Sequence, residues 1–422
     1  MEASVEKIKV LVLSDHPLSP SGVGTQTKYM IEACLKTGRY KFACFGGAIK
    51  HQDYRPMKTD QWGDDMIIYP VDGYGNHDMV RGMLATFKPD IVWFMTDPRF
   101  FGWLWEIENE IRAVAPMIYY HVWDNYPYPK FNKVWYKSCD QIVAISKVTH
   151  DIVKTVAPEV DSCYLPHAVN QDIFKPQDKA ECKEYIAKLL PSMKDKFLFF
   201  WNNRNARRKQ SGSLLFWFAE FAEKVGKENV GLIMHTNPRD PHGQDLNAII
   251  TELGLMDGTV MFSTTAVEPQ ILAKLYNAAD CTINISDAEG FGLATLESLA
   301  CGTPIIANMT GGLQEQVTDG ENFFGIGLTP SSKAIIGSQD VPYIYEDRLD
   351  NKQVVEALLK IYEMSPEERQ ELGRLGLEHV NKNYNFEDYE KGWVDIMDKA
   401  YEKYGSYSNR KGYQSWSLKE VV

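Results

Sequence analysis

Short apolar runs separated by amphipathic stretches recur along the first 170 residues. The first run, IKVLVL at 8–13, gives way to a Pro/Gly/Ser-rich turn and then to a helical pattern from about Thr25. Runs at 42–45, 66–68, 91–94, 117–120, 141–144 and 162–165 have the length and apolar continuity of strands in a mostly parallel sheet. Helical patterns between several of them supply the crossovers. This alternation ends near Lys175-Pro176. A polar helix over 178–190 follows, and a second series opens with FLFF at 197–200. It continues at 230–234, 260–262, 281–283 and 304–307, with helices predicted over 211–224, 245–253, 269–278 and 292–300. Two αβ sheets in tandem fit this order better than one large sheet. The pattern is irregular from 327 to 349, then helical over 351–364, 366–384 and 386–404. The tail from Gly405 is polar and partly aromatic.

A chain of 422 residues is too long for one core and implies two or three domains. With 44% hydrophobic and 24% charged residues it has ample apolar material for them. A formal net charge of -12 argues against a general nucleic-acid binder. The seven cysteines include no Cys-x-x-Cys pair, the pattern of reduced, buried thiols in an intracellular protein. The amino terminus lacks the basic segment and apolar run of a signal peptide, and no apolar run reaches the roughly 18 residues of a spanning helix. The expectation is a cytoplasmic protein, with peripheral contact at the cytoplasmic membrane face left open, since an amphipathic surface can supply it.

Candidate chemistry concentrates at the predicted strand ends. Gly22 and Gly24 sit in the turn after the first strand, where glycine permits close backbone approach and the next helix offers N–H groups to an anion. The residue three beyond Gly24 is Thr27, so the dinucleotide fingerprint is absent, as is a Walker A loop. His121 ends an apolar strand, a position that faces the ligand crevice of a parallel sheet; it can donate to a sugar hydroxyl or share developing charge. Trp123, Tyr126 and Tyr128 follow as an apolar wall for a sugar face or, equally, as loop packing. Arg204 and Lys209 follow the second series' first strand and can converge on diphosphate oxygens. Most informative is EGFGLATLE, from Glu289 to Glu297. If a helix begins near Gly292, its unpaired N–H groups and dipole receive phosphate beside Gly290, Phe291, Gly292 and Leu293. Glu289 then accepts from sugar hydroxyls and Glu297 from the vicinal hydroxyls of a ribose. Thr310-Gly311-Gly312-Leu313-Gln314-Glu315 brings another backbone segment near.

Together these residues resemble the retaining glycosyltransferases of the GT4 family. The resemblance covers about residues 6–404 and is most specific at Glu289-Gly290-Phe291-Gly292 through Glu297 and at Gly311 to Glu315. It implies an α/β protein of GT-B architecture, two Rossmann-like domains facing each other across a cleft. The implied division is an acceptor domain over 1–176, a nucleotide-sugar domain over 177–385, a helix over 386–404 crossing back to the first domain, and a polar tail over 405–422. By the same resemblance His121 and Glu289 are catalytic. Gly22, Gly24, Arg204, Lys209, Gly290, Phe291, Gly292, Leu293 and Glu297 hold a UDP- or GDP-linked sugar. The family commonly shows Gly-Arg where this chain has Asn203-Arg204. The implied reaction is retaining transfer to a hydroxyl of a glycan, lipid-linked or other acceptor, by a front-face route. No Asp-x-Asp triplet occurs, so the basic pair is expected to replace a metal ion, with no cofactor needed. A sugar-nucleotide epimerase, a glycoside phosphorylase and a noncatalytic nucleotide-sugar-binding protein are the competing readings.

Overall fold

The computed structural model describes residues 6–124 and 128–415. Its first sheet has eight strands: β1 (Ile8–Asp15), β2 (Tyr40–Gly47), β3 (Met57–Lys58), β4 (Met66–Pro70), β5 (Ile91–Met95), β6 (Met117–His121), β7 (Gln141–Ala144) and β8 (Asp161–Tyr164). They lie in the order β3-β4-β2-β1-β5-β6-β7-β8, parallel except where β3 joins β4. The second sheet contains β9 (Phe197–Asn202), β10 (Val230–His235), β11 (Val260–Ser263), β12 (Cys281–Asn284), β13 (Ile305–Asn308) and β14 (Gly325–Leu328). Its order is β11-β10-β9-β12-β13-β14, all parallel. The inner strands are largely apolar because helices cover both faces, and Val10 to Leu13 are fully buried, whereas the edge strands β3 and β8 are more exposed. Both orders reverse direction beside the first strand of the sheet, and a ligand crevice opens at such a switch point, outside the carboxyl ends of the strands.

The irregular stretch predicted from 327 to 349 contains order after all. After β14, β15 (Ser332–Ile336) and β16 (Ile344–Arg348) form an antiparallel hairpin. Its apolar residues do not alternate cleanly because β16 spends its side chains on ion pairs rather than on a core.

The carboxyl-terminal helix Phe386–Tyr404 returns to the first lobe and packs on helix Gly22–Leu35. Trp393 is fully buried there, 5.7 Å from the Trp93 ring and 4.7 Å from that of Tyr120, both edge-on. Tyr389 donates to the carbonyl of Gln26 at 3.1 Å, and Arg39 pairs with Asp398 at 2.7 Å. Trp393→Ala is therefore expected to destabilise the protein by about 3–5 kcal/mol, from lost transfer energy plus the cavity left behind, as read from urea denaturation. The described part of the tail is held too: Arg410 pairs with the buried Asp140 of the first lobe at 2.8 Å. No helix among the described residues is long and apolar enough to cross a membrane.

Candidate active site

The second lobe builds most of the site from three loops. The first leaves β9, tightens into the turn Arg207–Lys209 and enters helix Ser211–Val225. Gln210 closes that turn in the left-handed region, φ 56°, a costly conformation for a side chain with a Cβ. It is held by its own side chain, which donates to Asp287 at 2.6 Å and accepts from Ser213 at 2.6 Å. The reversal points Lys209 inward, so that its ammonium is buried and contacts the Glu289 carboxylate. Arg208 donates to the carbonyl of Ala288 and stands 3.6 Å from Glu289.

The second loop runs from β12 to helix Leu293–Ala300. Gly292 caps that helix at φ 88°, and a Cβ there would meet Leu313 at 2.5 Å. The third loop follows β13, and Gly311 lies so close beneath the second that a Cβ would sit 2.0 Å from the Glu289 carbonyl. Glycine is required at both places. Gly312 N–H then donates to that carbonyl at 2.9 Å and fixes the two loops together. The outcome is a helix amino terminus with Glu289 on one side and two cations beside it.

Charge follows burial here. Burial alone would raise the Glu289 carboxyl, but Lys209 and Arg208 outweigh it and hold it below the usual carboxylate value. Burial, then the neighbouring Arg208, pulls the Lys209 ammonium below its ordinary value despite Glu289. Glu297 accepts from Tyr276 at 2.6 Å, and burial lifts its carboxyl to about 7.

The first lobe meets these loops directly. A Cβ on Gly22 would lie 2.9 Å from Leu293, and one on Gly290 would lie 2.8 Å from the carbonyl of Val122. Phe291 packs edge-on against His167, ring centroids 5.0 Å apart. Two carboxylates that sequence reasoning assigned no role, Asp97 and Asp124, close the first-lobe side. Both are raised by burial, Asp124 to about 6; Arg99 and then Arg208 across the cleft draw Asp97 back, and Arg208 draws Asp124 back. Their place just past the ends of β5 and β6 was the signal that could have found them.

Other candidates lie elsewhere. Arg204 and Lys209 do not converge: Arg204 is largely exposed and forms a two-bond ion pair with Asp240, at 2.7 and 3.2 Å. Arg208, not Arg204, stands beside Lys209. Gly24 donates its N–H to Ser21, so that donor is already committed. His121 ends β6 as expected, but its ring is fully buried and bonds Tyr136 at 2.7 Å through Nε2. Burial lowers it to about 3, so it is neutral, and its Nδ1 has no partner among the described residues. Trp123 packs into the first-lobe core against Phe131, and Tyr128 lies at the edge of the same cluster, so neither stands as a free wall. Tyr126 lies outside the described residues.

Beside Arg204 a cavity of about 260 Å³ opens at the ends of β9, β10 and β11, lined by Asn203, Thr236, Asp240 and the segment 263–266. Asn203 Nδ2 and Thr236 Oγ1 are buried there without a partner among the described residues.

The family described as Glycosyl transferases group 1 matches residues 183–374, the stretch that holds all three loops. The chain carries a group 1 glycosyltransferase domain. D-inositol 3-phosphate glycosyltransferase 2 of Catenulispora acidiphila is 30% identical over 208 residues, 47% of this chain and 45% of that protein. The chain aligns with less than half the length of this relative and of the other similar curated proteins. Among solved structures, sucrose-phosphate synthase from Thermosynechococcus elongatus superposes with a TM-score of 0.73 at 18% identity, over 94% of this chain and 100% of that one. Anabaena HepE in complex with UDP and glucose gives 0.69 at 14% identity, over 93% and 100%. The fold is GT-B, and the GT4-type relationship expected from Glu289 to Glu297 stands.

Proposed function

We propose that this group 1 glycosyltransferase chain moves a glycosyl group from a nucleotide-diphosphate sugar to an acceptor hydroxyl, with retention at the anomeric carbon and without a metal ion. The observation that carries the reading is the buried Lys209, with Arg208, set against Glu289 at the amino terminus of helix Leu293–Ala300. A diphosphate meets there two cations and a helix dipole. The cavity beside Arg204 takes the nucleoside, where Asn203 Nδ2 and Thr236 Oγ1 are unmatched; unpaired buried groups of this kind favour a polar occupant. HepE, of the same fold, has been solved with UDP and glucose. Glu297 accepts from the ribose, and Glu289, exchanging Lys209 for substrate, accepts from the donor sugar.

In the front-face step the bond from the anomeric carbon to the diphosphate oxygen breaks. The acceptor oxygen bonds to that carbon on the same face, and the acceptor proton passes to the departing oxygen. Arg208 and Lys209 stabilise the charge that accumulates on the leaving group. Asp97 and Asp124 accept from acceptor hydroxyls on the first-lobe side. His121, neutral and buried, orients the strand end from beneath and does not exchange protons with substrate.

A panel of UDP- and GDP-linked sugars with hydroxyl acceptors, read by mass spectrometry and by NMR of the new linkage, tests this. Transfer with retention is expected, and it persists in excess chelator. Loss of transfer in chelator, restored by magnesium or manganese, rejects the metal-free part. Isomerised free donor, phosphate-dependent turnover, or binding with no product from any acceptor rejects the reaction.

A further inference from the structure

All three loops of the site bond to the same short strand, β16. Glu346 is almost fully buried and accepts from both terminal nitrogens of Arg207, one at 2.8 Å. It also accepts from Arg348 at 2.5 Å. Arg348 reaches on to Asp287 at 3.1 Å. The Asp347 N–H donates to the carbonyl of Asp287 at 2.8 Å. Its carboxylate accepts from Thr310 at 2.7 Å, and its carbonyl accepts from Asn308 at 2.9 Å. The strand thus ties the Arg207–Lys209 turn to the loop before Glu289 and to the loop carrying Gly311. At the hairpin's far end Val341 is buried in the first-lobe core, and Tyr343 packs edge-on against Phe131, centroids 5.1 Å apart.

A carboxylate buried between two guanidiniums is a poor source of stability, because desolvation consumes most of the Coulomb gain. What it supplies is direction: a bidentate carboxylate fixes the plane of Arg207, and Arg207 fixes the next two residues. Those two repel each other, since Arg208 is one of the influences that lower Lys209. An unanchored turn would let them separate.

We infer that the hairpin is a strap that holds the diphosphate-binding turn, with Glu346 as its positioning residue. This rests on the diphosphate reading above. Glu346→Gln keeps the shape but cannot pair two guanidiniums by charge. The variant is expected to bind UDP and GDP about 3- to 30-fold more weakly, while its affinity for UMP, GMP and the nucleosides stays unchanged. Glu346→Asp should recover part of the loss. Should Glu346→Gln not fold, Arg207→Gln removes the same contact from its exposed side and is expected to give the same selective loss.

Calorimetric titration with these nucleotides, beside thermal melts, reads the effect. A general loosening would weaken diphosphates and monophosphates alike, and that result overturns the inference. So does unaltered diphosphate affinity in the variants. If the wild-type chain itself shows no preference for a diphosphate, the functional reading fails first, and the two failures are told apart by that control.

Discussion

Lys209→Met lowers kcat/KM for the nucleotide-sugar donor by about 10²- to 10³-fold, the loss expected when a preorganised charge at the leaving group is removed. The same change costs stability for a separate reason. Glu289 would be left buried without its closest cation, and stripping one partner from a buried ion pair costs about 3–5 kcal/mol. Glu289→Gln strands the lysine in the same way and removes the acceptor of the sugar hydroxyls. The two effects separate in the double variant. With both charges gone no uncompensated ion remains, so its stability returns part of the way toward wild type. Its donor turnover stays at the level of the worse single variant. Urea denaturation and steady-state nucleotide release on the four proteins complete the cycle. Additive stability losses would show that the pair is not coupled, and near-wild-type donor use in folded Lys209→Met would remove the residue from the mechanism.

The pH dependence of kcat/KM for the donor is expected to be a narrow bell, because that quantity reports groups of the free enzyme. On the acid side Glu297 must lose its proton to accept from ribose hydroxyls, and burial places that step at about 7. On the alkaline side Lys209 must keep its proton, and burial with Arg208 draws its limb below the roughly 10.4 of an ordinary lysine. Lys209→Arg carries a charge that does not titrate in this range, so the alkaline limb should move out of reach. Glu297→Gln should abolish the acid limb at reduced overall efficiency. Glu297 also marks stability. The folded chain keeps its proton up to about pH 7, whereas an unfolded glutamate releases it near 4.3. The folded state therefore binds more protons across that interval, and stability falls as pH rises through it. Glu297→Gln should flatten that slope in urea melts. A wild-type bell whose limbs do not respond to either substitution would assign the titrations to other groups.

The sequence by itself determined what is encoded over short distances. Each apolar run became a strand within a few residues because a both-faces-buried strand has no polar positions to blur its ends. The helix amino terminus at Gly292 was equally legible, since glycine and the following apolar run are contiguous in the chain.

Only the tertiary structure decided which side chains meet. The sequence pointed to Arg204 as the partner of Lys209, but the turn closed by the left-handed Gln210 sets Arg208 beside Lys209 and leaves Arg204 to Asp240, 36 residues away. His121 reached its strand end as expected, yet its ring turned to Tyr136 of a helix that periodicity had not marked. Asp97 and Asp124 came within the influence of Arg208 only because the fold brings the other lobe across to them. The hairpin was illegible because β16 is specified by ion pairs to residues as far as 139 positions away, and pairing of that kind leaves no periodic trace in the chain.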